Sequence, residues 1–101
     1  MTNELDENVL EDFLIYAQVT LANLDDAIYS DNMKGITKFS QELYIKADTL
    51  QINPISLIAK EIALRASLKR DANYTALFNE LRESLRVLEE RFTLSKEMLT
   101  C

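Results

Sequence analysis

Residues 74–92 read YTALFNELRESLRVLEERF. Leu77, Leu81, Leu85, Leu88 and Phe92 return at steps of four, four, three and four, with Tyr74, Phe78 and Val87 alongside. Such steps bring side chains back to one face of a helix, not of a strand. Glu80, Arg82, Glu83, Arg86, Glu89, Glu90 and Arg91 fill the remaining positions, so opposite charges fall three and four residues apart on the wet side. The spacing predicts a helix over 73–97 whose apolar face must be buried against other elements.

Working back from it, the same period recurs three times. Ile55, Ile58, Ile62 and Ala66, with Leu57, Leu64 and Leu68 beside them, predict a helix over 54–70. Asn53-Pro54 marks its start, Asn53 as N-cap and Pro54 at the first helical position, where a missing N–H costs nothing. Lys69 and Arg70 at its other end suit the negative pole of the helix dipole. Ile36, Phe39, Leu43, Ala47 and Leu50 predict a helix over 33–52, with Asn32 able to cap it. Val9, Phe13, Tyr16, Ala17, Leu21, Leu24 and Ile28 predict a helix over 6–30, broken at Ser30-Asp31-Asn32. Asp71-Ala72-Asn73 makes the last connection. Short connections favour antiparallel neighbours. The expected fold is all-α: an antiparallel up-down four-helix bundle forming one domain over 1–101. A two-stranded coiled coil would need a longer unbroken heptad run.

Composition agrees. The chain has 101 residues, with one Gly and one Pro, too few for a turn-rich sandwich or barrel or a Gly-lined nucleotide site. A hydrophobic fraction of 48% is enough to support one core. The net charge of -6 disfavours nucleic acid and anionic lipid, both bound by neutralising phosphates with Lys and Arg. No run approaches the ~18 apolar residues of a membrane-spanning helix. The acidic start (Glu4, Asp6, Glu7, Glu11, Asp12) is unlike a signal peptide, so the expected location is the cytoplasm, in a bacterial style of protein. Cys101 is the sole cysteine and cannot close an internal disulfide. A monomer or weak dimer is expected.

The chain contains no histidine, so neither Ser-His-Asp nor Cys-His catalysis can be assembled. Carboxylate spacings such as Glu80/Glu83, Glu7/Glu11 and Asp25/Asp26 read as solvated helix charge. No catalytic residue, metal site or cofactor is expected.

The segment from Leu21 to Phe92 resembles the histidine-containing phosphotransfer (HPt) domain of bacterial phosphorelays. That family's motif runs roughly Ala-His-x-Leu-Lys-Gly-x-Ala-x-x-Leu-Gly, and here residues 40–51 read SQELYIKADTLQ. Leu43, Ala47 and Leu50 agree in position and character. Glu61-Ile62 loosely resembles the Leu-Glu pair of the following helix, and Arg70-Asp71 the Gly-Asp turn before the last one. The chemical positions depart: Gln41 stands for the histidine, Tyr44 for the lysine and Ile45 for the glycine. A glutamine amide nitrogen has its lone pair delocalised into the carbonyl and cannot carry a phosphoryl group as imidazole does. Tyrosine offers no positive charge to phosphoryl oxygens, and the branched Ile45 narrows the approach that glycine leaves open. The resemblance therefore implies an inactive, pseudo-HPt protein whose partners are a response-regulator receiver domain or a histidine kinase.

Helix geometry sets the candidate face. At ~100° per residue from Gln41, Phe39, Leu43 and Leu50 lie near 160°, 200° and 180°, opposite it. Thr37, Tyr44, Ile45 and Asp48 fall within about 60° of Gln41 on the outer side, with Lys34 near 20°. Thr37, Gln41, Tyr44, Ile45 and Asp48 form the candidate partner-binding patch, where the resembled family meets receiver domains. Two plainer readings compete: the first or third helix covers Ile45, and Tyr44 is a boundary aromatic with its hydroxyl in water. A secretion or flagellar-type helical chaperone, binding a client's amphipathic helix in a groove, is the alternative function.

Overall fold

The computed structural model describes residues 7–70 and 73–100, with side chains described for 8–70 and 73–93. Glu4, Asp6, Asp71, Ala72 and Cys101 lie outside the described residues. Four helices run α1 Glu7–Tyr29, α2 Met33–Thr49, α3 Ile55–Ser67 and α4 Tyr74–Thr100. Among the described residues there is no strand.

Each helix packs on its neighbours in a ring: α1 on α2, α2 on α3, α3 on α4, and α4 back on α1. The helices alternate in direction. Ala27 near the end of α1 lies beside Gly35 at the start of α2, while Lys46 reaches back over the Tyr16 ring at 5.5 Å. The start of α2 likewise meets the end of α3. Thus the fold is an antiparallel up-down four-helix bundle. Its core takes Phe13, Ala17 and Leu24 from α1, Ile36, Leu43 and Ala47 from α2, Ile55, Ala59 and Ile62 from α3, and Phe78, Leu81 and Leu85 from α4. No helix among the described residues is long and apolar enough to cross a membrane.

The three described helix ends solve one problem in one way. The last carbonyls of a helix lack partners, and a left-handed residue just beyond the end lets two N–H groups fold back onto them, usually with glycine there. This chain uses Asp31, Gln51 and Lys69, with φ of 56°, 58° and 54°. The paired bonds are Asn32 N–H to Ala27 and Asp31 N–H to Ile28, Ile52 to Ala47 and Gln51 to Asp48, and Arg70 to Arg65 and Lys69 to Ala66. α2 therefore stops at Thr49, short of the residue 52 expected from periodicity, and buries Ile52 in the turn.

The sole glycine serves a packing need instead. A Cβ on Gly35 would come within 2.9 Å of Asn32 Nδ2 and 3.0 Å of the Ala27 Cβ. Asn32 is the N-cap of α2, accepting from the Gly35 N–H at 3.1 Å. The start of α3 differs from the expected arrangement. Pro54 occupies the cap position with the Asn53–Pro54 peptide cis, the helix begins at Ile55, and no side chain caps it. Asn53 accepts instead from the Ser56 hydroxyl, which removes it from the backbone N–H groups it was expected to cap.

On α4, Arg86 bridges Glu83 and Glu90 at 2.6 and 2.5 Å, holding the Glu83 carboxyl below its usual range by hydrogen bonding and raising its own pKa. All three are solvent-exposed, so the network adds little to stability.

Two substitutions test this account of the turns by urea unfolding. Gln51→Gly relieves a left-handed non-glycine residue and is expected to raise stability by about 0.5–1 kcal/mol. Gly35→Ala, although helix-favouring in isolation, is expected to lower it by about 1–3 kcal/mol through overpacking against Ala27 and displacement of the Asn32 cap.

Candidate functional site

The rotation of α2 follows from what it buries. Ile36, Leu43 and Ala47 face the core, together with Ser40, which is fully buried although its sequence character is polar. Its hydroxyl donates to the Ile36 carbonyl at 2.5 Å, so no polar atom is left unsatisfied there. With that side fixed, Gln41 and Asp48 are exposed and Ile45 is 56% exposed. Neither α1 nor α3 covers the isoleucine.

Thr37, Gln41 and Ile45 share one groove of about 570 Å³ with Met33, Lys34, Lys38 and Glu42 of α2 and Ala66, Ser67 and Lys69 from the end of α3. Tyr44 and Asp48 do not line it. Tyr44 is half-buried, packed against the core, and its ring lies 5.9 Å from Lys60 Nζ of α3. Asp48 sits a turn further along, its carbonyl accepting from Gln51. Of the five candidate residues, three are thus brought together and two flank them.

The groove has a character that sequence reasoning missed. Lys34, Lys38 and Lys69 rim it against one carboxylate, Glu42. None of the three lysines forms an ion pair among the described residues. A protein of net charge -6 thereby concentrates cations at an apolar spot formed by Met33, Ile45 and Ala66. Lys38 could have been found from sequence, since it lies about 60° from Gln41 on the helix wheel. Lys69 could not, because it arrives from the turn that follows α3.

The Thr37 hydroxyl donates to the Met33 carbonyl at 2.9 Å and that of Ser67 to the Leu64 carbonyl at 2.8 Å. Both are held in their own helices, with no imidazole available to activate them. Among the described residues no group of three or more Cys, Asp or Glu side chains could hold a metal ion.

A second groove, of about 840 Å³, runs between α1 and α4. Gln18 Nε2 donates across that helix pair to Glu89 at 2.9 Å, and Leu21, Phe78 and Leu85 beneath the groove are buried. Its charged side chains include Arg86 and Glu83, which pair with each other.

No protein-family model, curated protein or solved structure matches the chain.

Because Gln41 and Ile45 contribute no core contact, Gln41→Ala and Ile45→Asp are expected to change unfolding free energy by no more than about 0.5 kcal/mol. Leu43→Ala in the same helix should cost about 2–5 kcal/mol. Chemical denaturation of the three variants checks the assignment of faces.

Proposed function

We propose that this chain is a non-catalytic, HPt-like signalling protein that docks a receiver domain or sensor histidine kinase through the outer face of α2. It would modulate that partner without transferring phosphate. The observation that carries the reading is Gln41, exposed midway along α2 and set beside Ile45 in a lysine-rimmed groove. At the corresponding point the resembled family bears its reactive histidine.

Three features support it. Glutamine cannot replace imidazole as a phosphoryl carrier, so nothing at this position selects for group transfer. An exposed isoleucine gains about 1.5–3 kcal/mol if an interface buries it fully. Lys34, Lys38 and Lys69 favour a partner surface that is acidic around an apolar contact, and they speed encounter with it at low salt. Tyr44, Thr37 and Asp48 extend the contact along the helix.

The chaperone alternative requires an open apolar groove for a client helix. The α1–α4 groove offers the larger volume, but Leu21, Phe78 and Leu85 are already buried by the bundle itself. Charged side chains, Asp25, Arg82, Glu83, Arg86 and Glu89, wall that groove, so a client's apolar face would meet the Arg86–Glu83 pair there, which weighs towards the adaptor reading.

Titration calorimetry of the purified protein against receiver domains from the same organism tests the proposal. Saturable binding is expected, weakened at least about tenfold by Ile45→Asp or Gln41→Arg, a loss of about 1.4 kcal/mol. Incubation with phosphorylated receiver should leave the chain unlabelled. Absence of binding, or binding indifferent to both substitutions, rejects the α2 docking site.

A further inference from the structure

α3 shows apolar residues on both sides. Ile55, Ala59, Ile62 and Ala66 enter the core, while Leu57, Leu64 and Leu68 are each more than half exposed. Counting about 100° per residue, those three leucines lie within roughly 40° of one another and opposite the core face. They form a stripe with Glu61 filling its fourth position, and Glu61 pairs with Arg65. Lys60, Arg65, Lys69 and Arg70 make this segment basic within an acidic protein.

α1 carries the complementary character. No Lys or Arg precedes Lys34 in the chain. Ile15 and Val19 of α1 are both more than half exposed, and Ala22 follows them on the same face. Asp12 and Asp26 lie at the two ends of that stripe, both exposed. The positions 15, 19, 22 and 26 repeat the spacing of 57, 61, 64 and 68.

We propose that the outer face of α3 binds the outer face of α1 from a second copy of this chain, with the two helices antiparallel. In that direction Ile15 meets Leu68 and Val19 meets Leu64. Asp12 then falls towards Lys69 and Arg70, while Asp26 falls on Leu57, about a turn from Lys60, whose ammonium lies over the Tyr44 ring. The parallel direction sets Val19 over Glu61 and Asp26 over Leu68, next to Lys69 and Arg70, so it too brings an aspartate to those cations. The acidic and basic faces attract in either direction, and apolar matching selects the antiparallel one, where both Ile15 and Val19 meet leucines.

The bundle dictates how such contacts propagate. α1 and α3 are diagonal in the ring and do not approach one another. Their outer faces point in opposite directions, so a two-fold dimer cannot satisfy both α1–α3 contacts at once. The association is head to tail and open-ended. It does not rest on the proposed signalling role and uses neither Gln41 nor Ile45, although it shares Lys69 with the α2 groove.

Sedimentation velocity of the full chain reads the outcome directly. The mean mass is expected to rise with concentration above the 11.6 kDa monomer and to fall back as salt is added. Leu64→Glu/Leu68→Glu blocks one face and Ile15→Lys/Val19→Lys the other. Each variant alone should stay monomeric, while an equimolar mixture forms a closed one-to-one dimer through the faces left intact. All four positions are exposed, and circular dichroism verifies that both variants remain folded. A wild-type chain that is monomeric throughout overturns the proposal. So does a dimer that survives either variant, or a mixture that fails to associate.

Discussion

Everything on the outer face of α2 depends on which residues α2 commits to the core. Ile36, Ser40, Leu43 and Ala47 are held between α1 and α3, and a rotation by one residue, about 100°, would drive Gln41 inward and expose Leu43. Burying an unpaired amide while exposing a leucine costs several kcal/mol in the two changes together, about 1–3 for each. Thus the exposure of Gln41 and Ile45 is a consequence of core packing rather than of any local preference of their own. The close approach at Gly35 and Ala27 pins the same helix at its beginning, and the turn through Gln51 pins it at its end.

That turn chemistry explains how a chain with one glycine makes sharp reversals. Asp31, Gln51 and Lys69 occupy a backbone region that costs an L-residue roughly 1–2 kcal/mol, and two N–H groups per turn are satisfied in return. Glycine would have been the cheaper choice at all three points. It is found instead where two helices touch. The bundle therefore carries strain in its connections and places its small residue where no side chain fits.

The four helices were legible because each carries an apolar period whose length exceeds that of any competing signal, and Asn32 was legible as a cap because its role is local. Other features were not. Ser40 looks polar until its hydroxyl is seen bonded to its own helix, so its burial has no signature in sequence. Leu57, Leu64 and Leu68 stand beside the core stripe of α3 in the sequence reading, although a count of about 100° per residue already turns them away from it. With α2 and α4 packed on the other side, the three face out. Thr37, Gln41 and Ile45 fell on one face by helix geometry alone, whereas their union with Lys69 required the tertiary contact of α2 with the end of α3. Asn53 failed as a cap because Ser56, three residues on, competes for its side-chain oxygen. A short-range pattern cannot rank two such local bonds.

Charge gives the bundle a direction that its helix count does not. Every charged side chain of the first helix is acidic, and the cations begin at Lys34 and gather where α2 starts and α3 ends. Interspersed charge would have served solubility equally well, since a net value of -6 is independent of arrangement. Segregated charge does something more: it creates a potential that orients an approaching partner before contact. Uncovered Ile45 of α2 lines the groove with those cations, and the exposed Leu68 directly precedes Lys69 in the chain. Long-range attraction and short-range burial therefore act on the same side of the molecule. A surface built in that way can select a protein partner by sign and shape, with no reactive group required at its centre.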